Sequence, residues 1–271
     1  MADERPIGVF DSGVGGLTVL RALRERLPHE STVYLGDTAR VPYGTRSAAT
    51  VEKYALNNAR TLLALGDIKA LVVACNTATA VALPALTAEL PVPVLGVIEP
   101  GARAAMAATR GGTLVVLGTA GTVRSQAYPR ALHALGHSGD VLARACPLLV
   151  PLVEEGWLQG EIPRLVVEQY LRDLPGDTDT VVMGCTHYPL LRPVLRAALP
   201  ETVALVDGAV ATAAELATLL SERGLEREAK APAHRLLVTD APEQLVRLSQ
   251  SFLGHAVHGS DVELVDVIMS A

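Results

Sequence analysis

Short, almost wholly apolar runs alternate along the chain with longer stretches in which apolar residues recur at three- and four-residue spacing. Runs of the first kind read as buried strands, stretches of the second as helices with one apolar face. The strands expected are Ile7–Phe10, Thr32–Leu35, Ala70–Ala74, Val92–Val97, Thr113–Leu117, Val141–Arg144, Thr180–Met183, Val203–Val206 and Arg235–Val238, with Val262–Val267 as a last, edge strand. Helical spacing stands out over Leu17–Leu27, Ser47–Leu65, Pro163–Leu171 and Gln244–Leu253. Such alternation argues for an α/β protein whose parallel sheets are joined by right-handed crossovers.

In sheets of this kind, chemistry gathers where strand C-termini meet helix N-termini. The polar segments fall at those junctions: Asp11-Ser12-Gly13, Cys75-Asn76-Thr77, Gly118-Thr119-Ala120-Gly121-Thr122 and Cys185-Thr186-His187. A weak internal repeat accompanies them. Ile7–Gly13 and Leu114–Ala120 are both an apolar strand ending in a small hydroxyl residue, and each precedes a cysteine-bearing loop by nearly the same distance. Two similar lobes would then face each other across a pseudo-two-fold cleft, each offering one cysteine.

Composition narrows the class. A length of 271 residues suits one large domain or two small lobes. With 49% hydrophobic but only 3% aromatic residues, the core must be built from Ala, Val and Leu. The balance of 29 acidic against 23 basic residues, with no basic run interleaved with aromatics, gives no support for binding nucleic acid. No continuous apolar stretch approaches the length of a membrane span. Three cysteines do not make a disulfide framework, and Met1–Pro6 leads straight into a strand without a secretory pattern, so free thiols in the cytoplasm are expected.

Cys146, with no polar loop partner, reads as a packing residue. Cys75 and Cys185 differ, since each follows an apolar strand and precedes a polar segment that starts a helix. Backbone N–H groups there stabilise a thiolate. A redox pair is disfavoured by their wide separation and the lack of Cys-x-x-Cys, and a metal site by the lack of spaced ligands. Acyl transfer by Cys185 with His187 stays open but leaves Cys75 idle. Proton transfer uses both thiols: inverting a carbon needs a base on each face. A pyridoxal cofactor is disfavoured, because none of Lys53, Lys69 and Lys230 lies at a strand C-terminus or in a Gly-rich phosphate loop. The Gly13-Val14-Gly15-Gly16 turn lacks both P-loop and dinucleotide spacing, and is read as a turn whose N–H groups can hold a carboxylate.

The motifs Phe10–Leu17, Pro42–Gly44, Ala74–Thr79, Gly96–Pro100, Gly118–Ser125, Ala145–Pro147 with Pro151–Glu155, and Gly184–Pro189 follow one another in an order that closely resembles the bacterial glutamate racemases of the aspartate/glutamate racemase superfamily. The likeness spans about residues 7 to 208. It implies two α/β lobes with the active site between them, lobe A over residues 1–97 plus 208–271 and lobe B over 98–207. It also implies cofactor-independent, metal-free interconversion of L- and D-glutamate for peptidoglycan precursors, by a cytoplasmic homodimer. Carried over by motif, Cys75 acts on the D enantiomer and Cys185 on the L enantiomer, with Asp11 and His187 assisting. Glu154, beside Glu155, is the matching acid. Ser12, Pro42, Tyr43, Gly44, Asn76, Thr77, Thr119, Thr122 and Thr186 are the implied substrate contacts. Without the resemblance, Asp11, Ser12, Thr119 and Thr122 read equally as caps or first-turn residues, and Pro42–Gly44 as an ordinary turn. Aspartate racemases typically carry His where this chain has Thr79 and Glu where it has His187, so both positions favour glutamate.

Overall fold

The apolar runs pair into two sheets whose ladders are all parallel, seen in a computed structural model that describes residues 3–228 and 231–268. Met1, Ala2 and Lys230 lie outside the described residues. In chain order the strands are β1 (Ile7–Asp11), β2 (Thr32–Gly36), β3 (Ala70–Val73), β4 (Val94–Gly96), β5 (Thr113–Gly118), β6 (Val141–Ala145), β7 (Thr178–Gly184), β8 (Ala204–Val206), β9 (His234–Val238) and β10 (Val262–Leu264). The first sheet runs β10-β9-β2-β1-β3-β4 and the second β6-β5-β7-β8. The stretch β2-β1-β3-β4 and the whole second sheet share one permutation, so the repeat expected from the sequence is present in the topology.

The helices are α1 (Leu17–Arg26), α2 (Ala48–Gly66), α3 (Asn76–Glu89), α4 (Ile98–Ala108), α5 (Ala120–Ser125), α6 (Ala127–Ala134), α7 (Leu149–Glu154), α8 (Glu161–Leu171), α9 (Arg192–Ala197), α10 (Gly208–Glu222) and α11 (Pro242–Leu253). Local chemistry sets several ends. The Ser47 side chain accepts the Thr50 N–H to start α2, and Asp207 accepts from Ala209 to start α10. Helix α10 packs on both α1 and α4, which ties the sheets together. One apolar cluster runs through both sheets and the helices between them, with Val9 of β1, Leu17 and Leu20 of α1, Val115 of β5, Val181 of β7, Tyr188 beyond β7 and Leu216 of α10. Separate clusters cover the outer faces. Among the described residues no helix is long and apolar enough to cross a membrane.

Two expected strands are only half the length of their apolar runs. Val92–Val97 pairs only over Val94–Gly96, because Pro93 has no N–H to give the ladder. Val262–Val267 pairs only over Val262–Leu264, at the sheet edge. Cys75 does cap a helix, α3, as expected. Cys185 does not directly start one: a 3-10 turn at Tyr188–Leu191 intervenes before α9, and both elements carry proline in their first turn.

Candidate active site

Register brings the site together. Phe10 pairs with Val73, so Asp11 at the end of β1 and Ser12 just beyond it come beside Cys75. Gly118 pairs with Gly184, so Thr119 leaves the second beside Cys185. The two groups of strand ends enclose a cavity of about 420 Å³. Its wall includes Ser12, Pro42, Tyr43, Gly44, Asn76 and Thr77 from one side. Thr119, Glu154, Thr186 and His187 come from the other, and both Cys75 and Cys185 reach it. All three cysteines are free; Cys146, fully buried, does not reach the cavity.

The two thiols have different company. Cys75, 6% exposed, accepts the Ala78 N–H at 3.5 Å and donates to Ser12 Oγ at 3.6 Å. Burial, reinforced by the nearby Asp11 charge, nonetheless pushes its pKa up to about 12, outweighing those hydrogen bonds. The helix N-terminus therefore does not make Cys75 an acidic thiol. Cys185, 7% exposed, lies 3.9 Å from His187 Nδ1, and His187 Nε2 lies 3.1 Å from Glu154 Oε1. Burial alone would lower the His187 pKa, but Cys185 and Glu154 overcome it and raise it to about 10. His187 is thus held as an imidazolium between a sulfur and a carboxylate, with Phe252 packed against it nearly at right angles, ring to ring. Glu155, in contrast, is exposed, so Glu154 is the acid that reaches this site.

Two of the expected contacts stand behind the wall. Asp11 is 1% exposed and accepts the Gly13 N–H at 3.1 Å, while its Oδ1 is buried without a hydrogen bond. Burial raises its pKa, with the charge of His187 pulling the other way. Thr122 is also buried. Its hydroxyl lies 3.2 Å from that of Thr77 and 3.1 Å from that of Thr119, and those two are 2.8 Å apart, so a hydroxyl triangle spans the seam. Tyr43 is fixed by its hydroxyl, which donates to Asp37 and accepts from Asn58 at 2.9 Å. Thr79 faces away from the cavity, donating to the Val73 carbonyl at 2.9 Å.

Sequence reasoning missed the apolar flank of the cavity, formed by Val41, Pro147, Leu148, Val150 and Pro151. Four of these follow β6, and the rule that parallel strands present their C-terminal ends to the site was the available signal.

The sequence profile of the Asp/Glu/hydantoin racemase family matches residues 16–216. A glutamate racemase of Geobacter metallireducens is 50% identical over 92% of this chain and 93% of its own. Among solved structures, a glutamate racemase isoform of Bacillus anthracis superposes with a TM-score of 0.91 at 41% identity, over 97% of each chain. The glutamate racemase of Francisella tularensis, solved in complex with D-glutamate, superposes with a TM-score of 0.90 at 35% identity, over 97% of this chain and 98% of that one.

Proposed function

Since the chain belongs to the Asp/Glu/hydantoin racemase family, and within it to the glutamate racemases, we propose that it interconverts L- and D-glutamate by two-base proton transfer between Cys75 and Cys185, with no cofactor. The observation that carries this reading is the pair of thiols at matching strand ends of two like sheets, both lining one cavity.

In the L-to-D direction, the Cys185 sulfur takes the α-proton and the Cys75 thiol delivers its own proton to the opposite face. The reverse direction exchanges the roles. His187, kept positive by Cys185 and Glu154, stands 3.9 Å from the Cys185 sulfur, where its charge meets the proton being taken. Burial makes a Cys75 thiolate a stronger base than one in water, which is what a weakly acidic C–H requires. Hydroxyls of Ser12, Thr77, Thr119 and Thr186, the Asn76 amide and free N–H groups at the start of α3 can hold the substrate carboxylates without an arginine. Asp11 is placed to act on the charge balance of both Cys75 and His187.

By resemblance the reading extends to a homodimer in the cytoplasm supplying D-glutamate for peptidoglycan. Lobe A would comprise residues 1–97 plus 208–271 and lobe B residues 98–207. The cut at 207/208 falls at the cap of α10.

Polarimetry on the purified protein with either enantiomer and no added cofactor is the first test, and rotation should decay to zero. Cys75→Ala and Cys185→Ala should each lose roughly 10²–10⁴-fold or more in turnover, while D-glutamate still binds. Normal turnover in either variant rules the scheme out. The chain of Cys185, His187 and Glu154 also suits a thiol nucleophile with its base. An acyl group trapped on Cys185 would favour that second reading.

A further inference from the structure

Tyr128 takes no part in the chemistry above, yet it touches the neighbour of each cysteine. It lies in α6, is 2% exposed, and donates its hydroxyl to Asn76 Oδ1 at 2.8 Å, across the seam from the second sheet to α3. Asn76 follows Cys75. The ring packs against Gly184, which precedes Cys185, where a Cβ would come within 3.1 Å of Tyr128 Cε2. On the helix side, a Cβ at Gly101 would come within 3.0 Å of the hydroxyl. Both glycines leave room for the ring.

Resting on the racemase reading, we propose that Tyr128 is a positioning residue that orients the Asn76 amide for the substrate. A primary amide carries an accepting end and a donating end. The Tyr128 hydroxyl occupies the accepting end, so the Nδ2 donors are left for the cavity that Asn76 lines. A substrate carboxylate only accepts hydrogen bonds, and a reversed amide would meet it with a carbonyl oxygen. Reversal would also strand the phenolic proton, since Asn76 is its one hydrogen-bond partner among the described residues. Burial, then the Asp207 and Cys185 charges, raise the phenol pKa, so the hydroxyl remains a donor across the working range.

Tyr128→Phe keeps the ring and removes the lock. Polarimetric kinetics should show KM for both enantiomers rising about tenfold, as expected for a misdirected hydrogen bond to a charged group, with kcat within about threefold of the wild type. Calorimetric titration with D-glutamate should show the same change in Kd at unchanged stoichiometry. A tyrosine that merely supports the fold would instead reduce the fraction of protein able to bind and leave Kd alone. In an Asn76→Ala background the Tyr128→Phe change should add nothing to KM. An unchanged KM and Kd in Tyr128→Phe, or an equal rise in both backgrounds, overturns the proposal. Failure of the wild type to racemise glutamate in the same assay would instead overturn the functional reading beneath it.

Discussion

Cys75 and Cys185 occupy equivalent strand ends but are tuned by different neighbours. Burial and Asp11 hold Cys75 as a thiol, while Cys185 faces a histidine that Cys185 itself and Glu154 keep cationic. That histidine gives a pH signature. A group whose folded pKa is raised binds its proton more tightly in the folded state, so its stabilisation is complete below the unfolded value and fades as pH climbs through the folded one. For His187 the window runs from 6.5 to about 10. Thermal melts should therefore show Glu154→Gln less stable than the wild type near pH 6, with the gap closing as pH approaches 10.5. A gap that stays constant over that range contradicts the assignment. At this scale the cysteines were legible, because a thiol in a polar strand-end loop is conspicuous. Tyr128 was not, since its place depends on the room left by Gly101 and Gly184, which come from distant parts of the chain.

Among the elements, the loop from Asp11 to Gly16 closely approaches the loop from Cys185 to His187 at Gly15. A Cβ on Gly15 would run into both the Thr186 hydroxyl and the His187 ring. Thr18, at the start of α1, donates to the Thr186 carbonyl at 3.1 Å and pins the same junction. Gly15→Ala should cost roughly 1–3 kcal/mol, as overpacking does, and lower Tm by several degrees at about 2–4 °C per kcal/mol. Turnover should fall more than tenfold, because the displaced loop carries Cys185 and His187. Wild-type kcat and Tm in this variant would show that the approach is not tight. The strands were readable because they are short apolar runs, with β1, β2, β3 and β5 buried throughout, and the end of β4 shifted where Pro93 interrupts the donors. The start after Cys185 was misread because the motif resembles a helix cap, whereas Pro189 and Pro193 break the region into a 3-10 turn and a short helix.

For the whole molecule, the repeat faint in the sequence becomes a shared strand permutation, and that permutation sets one cysteine at the same place in each sheet. The sheets share an apolar cluster and the α10 packing, so they enclose a cavity between them rather than folding as separate bodies. A sequence shows periodicity but not which face meets which. The segment after β6 could be placed at the site end of its sheet, but that its apolar residues flank the cavity came only with the assembled fold. Two-thiol transfer makes a distinct demand on where solvent protons end up. With protiated L-glutamate in deuterium oxide, followed by NMR and chiral separation at low conversion, D-glutamate formed by two bases should carry deuterium at Cα while the remaining L-glutamate keeps its proton. Deuterium entering both enantiomers equally from the first time points, or a product without deuterium, would contradict proton transfer between Cys75 and Cys185.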